Sequence, residues 1–314
     1  MSIASEITRI SDNVADAYTA ANAKGATMPV SQNSDNLATT IATIPTTAPT
    51  YYVEKTKNTN NVLTNSSNII DLKGINDIGE NALRYQYNGI SFPANTTVDF
   101  SSLTQITGKY ACGETFSSTS GITSVNLSNL TTINGNNCCN AMFSGSSSLT
   151  SVNLNSLTTI SGTNACVNMF ASTNIISLKL NSLTTLNGGS INGFTYNNQS
   201  LTEVEFNSLT NISSTIGSSL STARPFGGCT NLESVSFGGL KSTTFSSAVN
   251  QLQYLFYSNT GSTATNGCTV HFPSNFDPSD PNHTFDASTL TGYPTFGGSA
   301  SYIHVAFDLP ATES

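Results

Sequence analysis

The sequence predicts a β-rich solenoid preceded by a short α-helical segment at the amino terminus. Three observations predict this fold class: a short apolar motif recurs at a nearly fixed spacing, apolar and polar residues alternate within the motif, and positions 3–24 have helical spacing instead. Repeats of about 20–50 residues are typical of solenoids, in which each repeat packs only against its neighbours.

The repeated motif has the form Val-x-Leu followed by Leu-Thr-Thr-Ile. Five clear copies begin at positions 98, 125, 152, 178 and 204, so the spacing between successive copies is almost constant. Looser copies lie at 70–83, 235–245 and 270–276. Alternate residues of a strand point to the same side, so each Val-x-Leu triplet is predicted to be a strand with one buried side. We call each repeat a rung.

A column of phenylalanines is predicted to close the rungs. Phe116, Phe143 and Phe170 recur at the spacing of the strand motif, which places them on a short helix or turn at the same point of successive rungs. Phe194, Phe226 and Phe256 continue the column less regularly. The aromatic end of the chain, 281–314, is predicted to be a C-terminal β cap on a solenoid that spans 62–280.

The composition excludes several classes of protein. Ser, Thr and Asn are very abundant, and only 9% of the sequence is charged. With 37% hydrophobic residues and a net charge of −8, the chain can still bury a core. The few basic residues form no cluster, which predicts no nucleic-acid partner. No apolar run approaches the ~18 residues of a membrane span, and we expect neither membrane insertion nor a signal peptide.

The amino-terminal segment, 1–45, is predicted to serve attachment or oligomerisation, with a linker at 46–61. Its apolar residues are spaced alternately four and three positions apart, the pattern of a coiled-coil seam. These residues are Ile3, Ile7, Ile10, Val14, Ala17 and Ala21. Ile and Val at both seam positions favour a homotrimer; the alternative is an amphipathic helix packed against its own neighbour or a docking protein. A second short helix is predicted at 34–44.

Candidate catalytic and metal-binding residues are sparse. His271, His283 and His304 lack the spacing of metal ligands. The loop 276–288 contains Asp277, Asp280, His283 and Asp286, but it lacks the glycine and spacing of a calcium loop, so a rigid surface turn is expected. No nucleophile elbow, Ser-His-Asp set or phosphate-binding loop is recognised. We therefore expect no metal, no cofactor and no enzymatic activity.

The cysteines are predicted to be structural. Cys112, Cys139 and Cys166 follow the period of the rungs and should form one column. A disulfide or metal ladder is one interpretation, and a column of buried free thiols is the favoured one, because Cys packs as a small hydrophobe. Cys138 is expected to face the opposite way.

The polar positions of the strands form the predicted ligand-contact face. They include Asn126, Asn153, Lys179, Glu205 and Glu203. Stacked hydroxyls and amides both donate and accept hydrogen bonds, as binding of a glycan or a polar protein surface requires. The alternative interpretation is that this surface only keeps the solenoid in solution.

Two resemblances add an expectation about function. The segments FGGCTNLESVSF (226–237), SGSSSLTSVNL (144–154) and INDIGENALRY (75–85) resemble BspA-like leucine-rich repeats of bacterial and viral surface proteins, which implies adhesion or recognition. Residues 1–45 resemble amino-terminal segments of tail and other structural proteins of bacteriophages that infect gut Gram-positive bacteria.

Together these resemblances imply a non-enzymatic virion protein on the phage particle surface. We expect a tail fibre, receptor-binding or baseplate-attached protein that contacts other virion proteins and a host glycan or protein. The alternatives are a head fibre or decoration protein without a host ligand, and a bacterial adhesin of the BspA-like class.

Overall fold

The part of the chain with a described structure is mainly the repeat region. A computed structural model describes residues 14, 15, 17, 69–71, 75–218, 223–241, 245–256, 267–277, 279, 295, 296 and 302–312. The chain divides into two compact units, Met1–Pro49 and Thr50–Ser314. In the first unit Val14, Ala15 and Ala17 are helical. The other predicted seam residues, Ile3, Ile7, Ile10 and Ala21, and the predicted helix at 34–44 lie outside the described residues.

The second unit is a parallel β-solenoid of about five turns, built from three sheets. The first sheet contains β1 (Ile69–Asp71), β2 (Ser91–Asp99), β4 (Ser120–Asn126) and β6 (Ser151–Asn153). The second contains β8 (Ser177–Lys179), β10 (Glu203–Glu205), β12 (Ser234–Ser236), β13 (Cys268–Pro273) and β14 (Ile303–Leu309). The third contains β3 (Gln105–Ile106), β5 (Thr132–Ile133), β7 (Thr159–Ile160), β9 (Thr185–Leu186) and β11 (Asn211–Ile212).

Strand pairing follows the register of the repeated motif. Val98 pairs with Val125 and Val125 with Val152 in the first sheet, and Leu178 pairs with Val204 in the second. Every described pair is parallel, as expected for successive turns of one solenoid. The predicted solenoid is therefore confirmed, and β14, within the predicted cap, adds a parallel strand beyond β13.

Helices contribute little to the described structure. Among the described residues of the second unit, α1 spans Phe245–Gln251, and short 3-10 helices span Gly188–Ile191 and Ser274–Phe276. Within the described part of the chain, none of the helices has the length and apolar content that a bilayer span requires.

The third sheet explains part of the threonine content. The hydroxyl of Thr131 donates to the carbonyl of Thr104 at 2.9 Å, and that of Thr158 donates to Thr131 at 3.0 Å. Thr184 and Thr210 repeat this bond at 3.2 Å. Each hydroxyl therefore adds a bond to a carbonyl of the preceding rung that already accepts from the backbone N–H of the same threonine, and threonine contributes to stacking in this way.

A chain of consecutive β-turns closes the rungs that contain Phe116, Phe143 and Phe170, which confirms the turn alternative for these rungs. In two later rungs a short helix precedes the aromatic residue: Gly188–Ile191 before Phe194, and α1 before Phe256. The N–H of Cys138 closes a turn on the carbonyl of Gly135 at 3.3 Å, whereas the N–H of Cys139 bonds to Ala165 of the next rung at 2.7 Å. Every fourth residue has positive φ, as at Asn137 and Ala141. Positive φ at the third residue defines a type II turn, and Asn tolerates it better than most residues.

The predicted phenylalanine column forms the centre of the core. Phe143 stacks between Phe116 and Phe170 with ring centroids 5.3 and 5.8 Å apart. Phe170 contacts Phe194 edge to face at 5.3 Å, and Tyr87 extends the column at the other end, 5.2 Å from Phe116. All five rings are almost completely buried. Pairs in these geometries contribute roughly 0.5–1.5 kcal/mol beyond the burial of area.

Candidate functional site

The polar side chains of the first two sheets form one surface, which we call the strand face. In the first sheet, Asp99, Asn126 and Asn153 are register neighbours on successive strands. In the second sheet, Lys179 and Glu205 are neighbours. Glu203 pairs with Ser177 beside them. The structure thus places the predicted contact residues in columns on two adjoining sheets.

Some of these side chains have structural partners. The side-chain oxygens of Asp99, Asn126 and Asn153 each accept a hydrogen bond from the N–H two residues ahead, at 3.1, 3.1 and 3.2 Å. These bonds cap the turn that follows each strand. The amide nitrogen of Asn126 also donates to Asp99 at 3.1 Å. By contrast, the side-chain nitrogen of Asn153 has no partner among the described residues, so it is free to donate to a ligand.

Lys179, Glu203 and Glu205 form a cluster of ion pairs on this face, with one cation between two carboxylates. The ammonium of Lys179 lies 3.3 Å from Glu203 and contacts Glu205, which also accepts from Asn181. Hydrogen bonds to Glu205 and then Glu203 raise the pKa of Lys179. Partial burial acts to raise the pKa of Glu205, but the hydrogen bonds from Lys179 and Asn181 outweigh it and the pKa is lowered. Both pKa shifts favour the charged forms of Lys179 and Glu205.

The sheet is interrupted in the middle of this face. No register pair joins β6 to β8 among the described strands, and the first sheet ends where the second begins. The N–H of Ile176 still bonds to the carbonyl of Thr150 at 3.3 Å, and the third sheet continues unbroken from β7 to β9. A groove of about 480 Å³ lies at this interruption, and we call it the β6–β8 groove. It is lined by Thr150, Ser151, Val152, Asn153, Asn155, Ile176, Ser177 and Lys179.

A second hollow adjoins this groove on the first sheet. It has a volume of about 430 Å³ and shares Ser151 and Asn153 with the β6–β8 groove. Asp99 and Asn126 lie along it. The two hollows place hydroxyl, amide and carboxylate groups on adjacent surfaces of the same face.

Ile176, an apolar residue that lines the groove, is absent from the contact residues that the sequence predicts. Its side chain is 55% exposed, whereas the corresponding residues of neighbouring rungs are Thr123, Thr150 and Thr202. Alignment of the rungs contains this signal, because an apolar residue replaces threonine at an otherwise polar position.

A serine, a histidine and an aspartate occupy successive strands of the second sheet. His271 Nδ1 lies 2.8 Å from Asp308 Oδ1, and Ser236 is the register neighbour of His271 on the other side. However, Ser236 is only 7% exposed and its hydroxyl has no hydrogen-bond partner among the described residues. A nucleophile must be accessible and within reach of its base, so this set does not form a catalytic triad.

The cysteines lie in the interior as free thiols. Hydrogen bonding to Cys112, Cys138 and Cys166 and burial raise the pKa of Cys139, and burial raises the pKa of Cys229 to about 11. The predicted buried column is confirmed. The prediction that Cys138 faces the opposite way is wrong, because Cys138 is also completely buried, with its thiol against that of Cys139. Buried thiols of raised pKa are poor nucleophiles.

The predicted acidic loop is described only at its start. Asp277 accepts hydrogen bonds from the N–H and hydroxyl of Ser279 at 2.8 and 2.7 Å, which is a local turn. Asp280, His283 and Asp286 lie outside the described residues. Over the described ranges, no group of three or more His, Cys, Asp or Glu side chains is arranged to hold a metal ion.

Comparison of the chain with protein-family models, curated proteins and solved structures finds no match.

Proposed function

We propose that the chain is a non-enzymatic recognition protein whose strand face binds a glycan or protein of a host cell surface. The observation that supports the proposal is the preformed polar face with its two adjoining hollows. Main-chain hydrogen bonds between rungs hold the backbone that carries these side chains, so little backbone ordering is needed when a ligand binds, which favours affinity.

We further propose that the protein is carried on a bacteriophage particle through residues 1–45, as a tail fibre, receptor-binding or baseplate-attached protein. The support is the resemblance of this segment to phage structural proteins and the resemblance of the repeats to BspA-like leucine-rich repeats of surface proteins. Oligomerisation through the predicted helical seam would multiply weak sites by raising their effective concentration.

Binding of the purified full-length protein to cells tests the recognition proposal. Fluorescently labelled protein is incubated with a panel of gut Gram-positive bacteria and measured by flow cytometry. We expect saturable binding to some strains and its loss in Ser151→Arg, since Ser151 lines both hollows. Ser161→Arg, an exposed substitution away from the strand face, is the matched control. Absence of binding to every strain, or equal binding by both variants, would overturn the proposal.

Sedimentation tests the proposed assembly segment. The full-length protein is compared with a shortened chain that starts at Thr50, the first residue of the second compact unit. We expect a trimer for the full chain and a monomer for the shortened one. Equal monomeric mass for both would reject oligomerisation through residues 1–45.

A further inference from the structure

We infer that the β6–β8 groove is the ligand subsite of the strand face and that it binds a neutral, hydroxyl-rich saccharide. This inference rests on the proposed function, because it names the ligand class of the same face. The groove has a volume of about 480 Å³ and is open to solvent along the strand face, so a ligand can enter it without a conformational change.

Polar groups that the fold does not use converge on the groove. The side-chain nitrogen of Asn153 and the hydroxyls of Ser151 and Ser177 have no hydrogen-bond partner among the described residues. Asn126, one rung earlier, uses the same nitrogen to bond Asp99. An amide donor with two hydroxyls that both donate and accept is complementary to the hydroxyls of a sugar ring.

The apolar wall of the groove breaks the pattern of the repeat. The hydroxyl of Thr150 donates to Thr123 of the preceding rung at 3.2 Å, and that of Thr202 donates to Ile176 at 3.1 Å. Ile176 makes no such bond and exposes its side chain instead, with the half-buried Val152 beside it. Threonine would suit the fold better, so the isoleucine points to an apolar contact with a ligand. The C–H face of a pyranose ring offers such a contact.

The charges around the groove favour a neutral ligand over an anionic one. Lys179 is the one cation among the eight described residues that line the groove, and its ammonium contacts both Glu203 and Glu205. A phosphate, sulfate or sialic acid would have to displace these carboxylates or accept their repulsion. A sugar that carries only hydroxyl or acetamido groups has no negative charge for these carboxylates to repel.

The size of the groove favours a saccharide over a folded protein. Eight residues line it, whereas a stable protein–protein interface uses about 20–30 residues from each partner. The experiment therefore includes a result that would identify a protein ligand instead.

The test uses the full-length protein and two variants that the fold should tolerate. Ile176→Thr restores the threonine of the neighbouring rungs, and Asn153→Asp keeps the oxygen that caps Asn155 while removing the amide donor. Tyr85→Asn is the control. It removes the other large exposed hydrophobic side chain of the described residues, at a positive φ that Asn tolerates. Thermal unfolding verifies that all three variants remain folded.

Binding is measured on an array of neutral, sialylated and sulfated oligosaccharides and by saturation-transfer NMR with the best neutral one. We expect binding to neutral oligosaccharides, about a tenfold loss of affinity in each groove variant, and no change in Tyr85→Asn. The best neutral sugar should also compete with binding to cells.

The outcomes separate this inference from the proposed function. If the protein binds cells but neutral sugars neither bind nor compete, only the saccharide assignment is overturned. Loss of cell binding after protease treatment of the cells, without competition by the neutral sugar, identifies a protein ligand and has the same consequence. Preferred binding of anionic sugars, or unchanged affinity in Ile176→Thr and Asn153→Asp, also overturns it. If the protein binds no cells at all, the proposed function itself is rejected.

Discussion

We expect Gly135→Ala to destabilise the solenoid, because the backbones of successive rungs lie very close together at this residue. A Cβ atom at Gly135 would lie 2.5 Å from the carbonyl oxygen of Gly108 and 2.7 Å from that of Thr107. Both atoms belong to the backbone of the preceding rung, so no flexible side chain can move aside. Gly135 does not have positive φ, and the expected cost therefore comes from the distance between rungs alone.

The magnitude follows from the movement that alanine requires. The Cβ would be about 0.9 Å short of ordinary van der Waals contact, so the two rungs must separate locally. This separation stretches the bonds that Asn134 and Gly135 donate to the carbonyl of Ile106, which are already 3.2 and 3.3 Å long. Loss of two bonds at about 1 kcal/mol each, with about 1–3 kcal/mol of overpacking, predicts a loss of roughly 3–5 kcal/mol.

Urea denaturation followed by circular dichroism measures this effect on the full chain. The matched control is Gly189→Ala, because the nearest atom to a Cβ there is 3.8 Å away. Alanine at such a position usually stabilises a protein by about 0.4–1 kcal/mol, so the two variants should shift the midpoint in opposite directions. A stability loss below about 1 kcal/mol for Gly135→Ala would refute close backbone packing between these rungs.

The core, the thiols and the ion pair each allow a further test. Phe143→Ala should cost about 3–5 kcal/mol in the same denaturation experiment, and Tyr85→Ala, at an exposed ring, should cost much less. The six thiols, including Cys229, should react with a chromogenic disulfide reagent only after urea is added; rapid reaction of the native protein would contradict their burial. In an NMR titration, the lowered pKa of Glu205 should rise in Lys179→Met, and a constant value would show that the ion pair is absent. Because this pKa is lowered, the stabilisation is complete above the ordinary Glu pKa and disappears as the pH falls through the lowered value.

The rung itself could be predicted from the sequence because its period is strict. Val98, Val125 and Val152 pair in register on successive strands, and Phe116 and Phe143 stack in the core at the same period. The third sheet was missed, since each of its strands is a dipeptide that contributes a single buried side chain. So short a strand has no alternation that a sequence pattern can reveal.

The turns and the groove show where the sequence is ambiguous. The arrangement of Cys138 and Cys139 depends on positive φ at Asn137 and Ala141, which brings adjacent thiols into the same interior. The groove does not follow from spacing alone. The spacing from Val152 to Leu178 equals the spacing from Leu178 to Val204, yet only Leu178 and Val204 pair in a sheet.

The missing strand pairing between β6 and β8 has a mechanical consequence, because the third sheet is continuous at the same point. Between β6 and β8 the rungs stay joined through β7 and β9 and through turn bonds such as those of Cys166 and Phe170, but this junction lacks the strand pairing that its neighbours have on the strand face. Under tension along the stack, the rungs on either side should separate there first, as two blocks rather than one turn at a time. A force-extension trace would then show an early yield that precedes the main rupture.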